Sequence, residues 1–364
     1  NYIIRGGKMD KIKLSKADLS ALKSSPPTQS EKASVTSVSL DAGIEEVNLE
    51  GTTSEKKELE QQIDSINYSE IKEAGYKAQG VTVIDGEVVI TAHKGTTDYS
   101  RIYFYDLETG EYNGMILLNN TAHVGGMSYD QVNHILYVTG EEGKVNAYEY
   151  DEITAARKYF KNKKNTNVLD FNVVDMLSND SYKISDFVLD SEIQISSGSA
   201  ASTYFYDGAL YISNFKGTKN GALEKYRITY NKRTRKVSAV LDQNYEVPAL
   251  TQGIAVTDYK GERYLITTQS IGIALSTVTM YRLKEDSLEF VGVKPIFQIG
   301  LEGIDVDENG NVIACYETGA QETDVWKIGE FIEDVSHITP SEAQLLGTSA
   351  LSRGLGGIWY DLTH

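Results

Sequence analysis

The sequence predicts an all-β chain arranged as a closed ring of small antiparallel sheets. Three observations predict it: a repeated three-strand unit, turn dipeptides at one fixed place in that unit, and a repeat period of about 50 residues. The unit is clearest where Gly126-Met-Ser-Tyr-Asp130 precedes His134-Ile-Leu-Tyr-Val-Thr139 and Lys144-Val-Asn-Ala-Tyr-Glu-Tyr150. Short strands rich in Val, Ile, Tyr and Thr at this period define a β-propeller, whose blades are four-stranded sheets.

The elements follow in chain order. Gly80 to Asp85 leads to Glu87-Val-Val-Ile-Thr91 and Arg101 to Asp106, and Ser202 to Asp207 leads to Ala209 to Ser213 and Leu223 to Ile228. Gly253 to Asp258 leads to Arg263 to Thr267 and Thr277 to Arg282; Gly303 to Asp307 leads to Asn311 to Ala314 and Asp324 to Ile328. Turns at Asp85-Gly86, Asp207-Gly208 and Asn309-Gly310 supply the left-handed conformations that tight hairpins require. Outer strands are least regular; Val237 to Leu241 and Leu288 to Gly292 are the clearest.

Both ends of the chain suggest a sixth blade. Gly356-Gly-Ile-Trp-Tyr-Asp361 copies Gly125-Gly-Met-Ser-Tyr-Asp130, while Tyr2 to Arg5, Lys11 to Leu14 and Ser34 to Ser39 resemble the strands missing after it. The reading is a single domain over 1–364. Residues 1–50 supply strands that complete the last blade, 356–364 its innermost strand, 54–74 a helical linker, and 151–197 an insertion between blades. The alternative is five blades with tails.

Composition narrows function by exclusion. With 35 basic and 52 acidic residues among 364, the net charge is −17, which repels nucleic acid and anionic lipid. No apolar run has the length of a membrane helix, and the lone Cys315 makes no internal disulfide. The run Asp305-Val-Asp307-Glu-Asn309-Gly310 starts like an EF-hand loop but carries Tyr316 where the closing glutamate belongs, so it reads as a hairpin. No Gly-x-Ser-x-Gly nucleophile elbow is present. The chain starts at Asn1; with its acidic, Tyr-rich and Ser/Thr-rich composition, this is expected of an extracellular or cell-surface bacterial protein, monomeric and with no membrane insertion.

In a propeller the ends of the second strands share a face with the starts of the innermost ones, so a channel mouth can be listed by position. The positions just before the entries are Gln79, Gly125, Ala201, Gln252, Glu302 and Gly356, and nearby strand ends carry His93, Asn214, Gln269 and Glu317. Candidate ligand-binding residues are Gln79, His93, His123, Asn214, Gln252, Gln269 and Arg353. Glu302, Glu317 and Asn214 are the oxygen donors that suit a hard cation. His93 and His123 are candidate proton shuttles.

The segment Glu302-Gly303-Ile-Asp-Val-Asp-Glu-Asn-Gly-Asn311 resembles a blade of NHL-type propellers and of the calcium-dependent gluconolactonase and paraoxonase-like esterases. That resemblance implies six blades and makes an entry-strand glutamate, here Glu302, a calcium ligand, with Asn214 the nearest match to a second. No channel-facing aspartate completes the set. Two functions stay open. One is a binding module for a small molecule, saccharide, peptide or protein partner at the mouth, and the other a calcium-dependent hydrolase of a lactone or ester.

Overall fold

In the computed structural model, two of the three turn dipeptides are left-handed at both residues, while at Asn309-Gly310 only the glycine is, with φ of 72°. Asp85 and Gly86 have φ of 51° and 78°, and Asp207 and Gly208 have 51° and 74°, the paired left-handed geometry of two-residue hairpins. The structure describes residues 2–5, 8–11, 65–118, 120–164, 169–170, 187–271, 275–318 and 322–335. The chain divides into two units, Asn1–Glu58 and Leu59–His364. In the first, β1 (Tyr2–Arg5) pairs antiparallel with β2 (Lys8–Lys11). The second strand of this hairpin therefore starts three positions ahead of the expected Lys11.

In the second unit, residues 54–64 of the expected linker helix lie outside the described residues; the described part is helical only in α1 (Ser69–Glu73). The first blade is β3 (Lys77–Ile84), β4 (Glu87–His93), β5 (Arg101–Asp106) and β6 (Tyr112–Leu117), each antiparallel to the next. The second is β7 (Met127–Asp130), β8 (Ile135–Thr139) and β9 (Val145–Glu149).

The insertion then begins with α2 (Tyr150–Lys164). This helix is anchored on the first blade: Arg157 forms a two-pronged bond to Glu87 at 2.7 and 2.9 Å, and its guanidinium lies 3.6 Å from the Phe104 ring centre. Next, β10 (Leu169–Asp170) adds to β6 in parallel, and β11 (Asp190–Ser191) belongs to a segment that serves two blades. Leu189 N–H donates to Ala147 O and Val145 N–H to Ile193 O, which completes the second blade. The same segment pairs in parallel with the outer strand of the third blade, Asp190 opposite Lys236. That third blade is β12 (Ala200–Tyr206), β13 (Ala209–Asn214), β14 (Gly221–Asn231) and β15 (Lys236–Val247).

The fourth blade is β16 (Thr251–Tyr259), β17 (Glu262–Gln269), β18 (Leu275–Leu283) and β19 (Leu288–Ile299). The fifth is β20 (Leu301–Val306), β21 (Asn311–Tyr316) and β22 (Asp324–Lys327), followed by α3 (Ile328–Val335), which packs on β19. The Asp307 carboxylate accepts the Asn309 and Asn311 N–H groups at 2.9 and 2.7 Å, so the EF-hand-like run is the hairpin between β20 and β21.

The innermost strands touch in the order β3, β7, β12, β16, β20, and β20 returns to β3. Among the described residues the ring therefore has five blades, the alternative count of the sequence reading. The preferred count of six had a further innermost strand at 356–364, which lies outside the described residues, as do 34–39. There is a steric reason for five. A Cβ on Gly303 would stand 2.7 Å from Val81 N and 2.8 Å from Gln79 O, leaving no width for a strand between the fifth and first blades.

A repeated device holds the inner strands together. In β3, β16 and β20 two residues, Gln79-Gly80, Gln252-Gly253 and Glu302-Gly303, oppose one residue on the neighbouring strand, a β-bulge at one place in each blade. The residues facing the bulges are Thr91, Thr268 and Cys315. Each accepts the N–H of the bulge glycine. Each also donates to a carbonyl of the following blade: Thr91 to Val124 O at 2.8 Å, Thr268 to Glu302 O at 3.0 Å, and Cys315 to Gln79 O at 3.2 Å. The only cysteine thus does for the junction of blades five and one what a threonine hydroxyl does elsewhere. It is fully buried, and burial pushes its thiol up to about 12, far from the nucleophilic range.

Candidate functional site

The bulges turn residues just before the entry glycines toward the mouth of the ring, and the second-strand ends bring their neighbours. Lys77 opposes His93 across β3 and β4. Lys77 Nζ bonds Glu317 Oε1 at 2.7 Å, joining the first blade to the fifth. His93 and His123 lie side by side with ring centres 4.2 Å apart. Glu302 is only 3% exposed, and its carboxylate accepts the Ser270 hydroxyl at 3.4 Å. The sequence-predicted His93, His123, Glu302 and Glu317 thus come together where blade five meets blade one, and the Gln79 carbonyl lies at the same junction.

Their electrostatics follow from enclosure. Burial drives the Glu302 carboxyl well above the usual carboxylate range; the nearby Glu317 charge adds to the rise and Lys77 opposes it. His93 is lowered by desolvation, against the pull of Glu317. His123 is pushed down to about 4, first by desolvation and then by His93. His123 nonetheless keeps exposed surface. Beside these groups, Lys77 and Glu317 are bonded to each other.

Sequence reasoning did not find the tie between inner strands at Asp305. The buried Asp305 carboxylate accepts the Thr82 hydroxyl at 2.9 Å, the Val83 N–H at 2.8 Å and the Val306 N–H at 2.7 Å. It also accepts the hydroxyl of Tyr204, which belongs to the third blade. Strands of blades one, three and five therefore meet at a single buried carboxylate, three residues along β20 from Glu302.

Gln79 is among the inner-strand residues whose side-chain polar atoms are unpaired, with Ser128 and Thr203. Its side chain is completely buried, yet neither its amide nitrogen nor its amide oxygen has a hydrogen-bond partner among the described residues. Buried amides are almost always paired, because leaving one unpaired costs about 1–3 kcal/mol.

Other expected site residues are engaged elsewhere or lie beyond view. Asn214 donates to Ser197 O at 2.9 Å and accepts the Ala222 N–H at 2.7 Å. Gln269 donates to Thr267 Oγ1 at 2.7 Å and accepts the Thr277 and Thr279 hydroxyls. Gln252 is half-buried beside its bulge glycine, and Arg353 lies outside the described residues. No group of three His, Cys, Asp or Glu residues in metal-binding geometry occurs among the described residues.

Two cavities, of about 490 and 480 Å³, lie on either side of Tyr245 between blades three and four. Their polar walls are largely paired. Tyr245 donates to Glu285 O at 2.9 Å, and Arg263 bonds Asp258 and Asp207 at 3.0 and 3.1 Å.

Fold and contacts define a β-propeller with a polar cluster where blade five meets blade one. No protein-family model and no curated protein matches the chain. Among solved structures, a chain from the "Crystal Structure of Mitotic Checkpoint Complex" is 9% identical over 70% of this chain and 77% of that one, with a TM-score of 0.36. The "Structure of Dos1 propeller" is 12% identical over 70% of this chain and 55% of that one, with a TM-score of 0.30. Likenesses this distant carry no argument; the propeller assignment rests on the sheet order and the closed inner ring. A narrower kinship with NHL-type or gluconolactonase-like propellers is not shown. No helix among the described residues is long and apolar enough to cross a membrane.

Proposed function

We propose that this chain is a binding propeller that holds an uncharged polar group of its ligand between blades five and one. The observation that carries this reading is the polar cluster where blade five meets blade one: the adjoining His93 and His123 rings, with His123 exposed, beside the Lys77–Glu317 pair, whose charges already satisfy each other.

The competing reading is a calcium-dependent hydrolase. It asks more of these residues. Glu302 would have to ionise where burial opposes the charge, and Asn214 would have to leave Ser197 and Ala222. Assaying an aryl ester and an aldonolactone with and without calcium separates the two readings. The expected result is no calcium-dependent turnover and no calcium-dependent rise in melting temperature. Calcium-dependent turnover abolished by Glu302→Gln overturns the binding reading.

A further inference from the structure

We infer that the outer edge of β15, in blade three, is a docking edge for a partner protein, and that it takes an extended segment of that partner, apolar where it pairs and acidic at one end. This surface is separate from the mouth and does not depend on what the mouth binds.

The first observation is unused backbone. On one side β15 pairs along its length with β14; on the other it meets only the two residues of β11, Asp190 opposite Lys236 and Ser191 opposite Val237. There Asp190 N–H donates to Arg235 O and Glu192 N–H to Val237 O, so alternate residues turn their backbone groups outward. The same alternation turns out those of Ala239 and Leu241, and no strand among the described residues meets them. A row of free N–H and C=O groups at strand spacing is what an added strand pairs with. Past Leu241 a bulge at Asp242 shifts the register against β14, so the edge offers one short stretch beginning at Ser238.

The second is apolar surface in that stretch. Val240 is 62% exposed and Leu241 46%. As neighbours in a strand they face opposite sides of the sheet. Leu241 stands opposite Tyr226 and Ala239 opposite Ile228, in a row that belongs to the core between blades two and three. That core therefore runs out to an uncovered edge. An added strand lays one side chain beside Leu241 on one face and another beside Val240 on the other, and apolar side chains suit both.

The third is charge. Between Lys216 and Lys236 the chain carries eight basic residues and one acidic, in a protein of net charge −17. Lys225 and Arg227 share the Asp242 carboxylate at 3.2 and 2.9 Å. Lys232 and Arg233, in the turn from β14 to β15, are exposed, and neither forms an ion pair among the described residues. Asn231 fixes that turn by accepting the Arg233 and Thr234 N–H groups at 3.1 and 3.2 Å. Carboxylates at one end of the incoming segment meet these two cations. A second copy of this chain offers less, because the carboxylates of its own β15 are engaged: Asp242 with Lys225 and Arg227, and Glu246 with Asn220.

The test uses the full chain and an array of labelled synthetic peptides in which a short run of glutamates precedes alternating valine and threonine, read by fluorescence anisotropy. The same peptides with glutamine for glutamate test the charge. Ala239→Pro removes only an outward N–H, and the double variant Val240→Ser with Leu241→Ser removes the apolar surface. Lys260→Ala, on a turn of blade four, serves as control; circular dichroism and melting temperature verify folding, and the serine variant keeps the test open should Ala239→Pro fold poorly. The expected result is binding of at least one acidic peptide, weakened about tenfold by either edge change and by the glutamine replacement, and unchanged in the control. Absence of binding at millimolar peptide, or binding indifferent to both edge changes, overturns the docking edge. Edge-dependent binding that is equal for the glutamine peptides overturns the acidic partner. A dimer in sedimentation that the edge changes dissolve would make the occupant a second copy and overturn the partner segment.

Discussion

Replacing Gly303 with alanine is expected to lower stability as severely as the same change at Gly126 or Gly253. At Gly303 the new methyl carbon would stand 2.7 Å from Val81 N, 2.8 Å from Gln79 O and 2.9 Å from Gly80 Cα. All three are backbone atoms of the first blade and cannot swing aside as a side chain can. At Gly126 the nearest atom is Thr203 N at 2.3 Å, and at Gly253 it is Glu302 O at 2.3 Å, each in the next blade of the ring. Overpacking costs about 1–3 kcal/mol and more where backbone must move, so each variant is expected to lose about 2–4 kcal/mol in urea denaturation. Equal losses are the signature of a ring in which the fifth blade meets the first as closely as its other neighbours meet. A neutral Gly303→Ala beside damaging Gly126→Ala and Gly253→Ala would mean that these two blades do not touch.

The second large effect is expected at Asp305. Removing its carboxylate by Asp305→Ala strands the Thr82 hydroxyl, the Val83 and Val306 N–H groups and the Tyr204 hydroxyl inside the channel. A buried donor left without an acceptor costs about 1–3 kcal/mol; allowing the two hydroxyls to reorient, a loss of about 4 kcal/mol is expected. Asp305→Asn should fall between wild type and alanine, because it keeps one acceptor oxygen and turns an N–H₂ toward a donor. Thermal and urea unfolding of the two variants measure this. A loss below about 1 kcal/mol for Asp305→Ala would show that the carboxylate does not tie blades one, three and five together.

Much of the fold was legible because its signals are local. Asp85-Gly86 and Asp207-Gly208 specify their hairpins within two residues, and the alternating Val, Ile and Tyr of β4, β8, β13 and β17 specify strands within six or so. The blade count was harder. It depends on how far each sheet rotates from the last, and that rotation is set by contacts such as Gly303 against Val81, 222 positions apart in the chain. The copy of an entry motif at Gly356 pointed to a sixth blade on sequence grounds alone. The segment around β11 was hidden because one face of its backbone pairs antiparallel with β9 and the other parallel with β15, a division that no side-chain pattern encodes.

The site was read in part for the same reason. Position relative to the entry glycines found Gln79, Glu302, His93, His123 and Glu317, since the bulge recurs at one place in each blade. It also drew in Asn214 and Gln269, which hold equivalent positions but bond to their own blade or the segment leading into it. Lys77 was missed although it lies only two residues before Gln79, because its partner Glu317 comes from the far end of the ring. Asp305 was weighed as part of a calcium loop; its actual partners, Thr82 and Tyr204, become neighbours only when the ring closes. Aligning Thr91, Thr268 and Cys315 was the signal available in sequence for ring closure, since a thiol in register with two hydroxyls implies a shared hydrogen-bonding task.

Cys315 also provides the most direct test. As the only cysteine, buried behind the bulge of the fifth blade and donating to Gln79 O, it reports on the junction of blades five and one. The measurement is the rate at which a thiol reagent labels the native, full-length chain, compared with its global unfolding rate under the same conditions. The expected result is that Cys315 reacts no faster than the ring unfolds. Labelling at the rate of a free thiol while the circular dichroism remains native would contradict closure of blade five on blade one, and with it the polar cluster that this junction assembles.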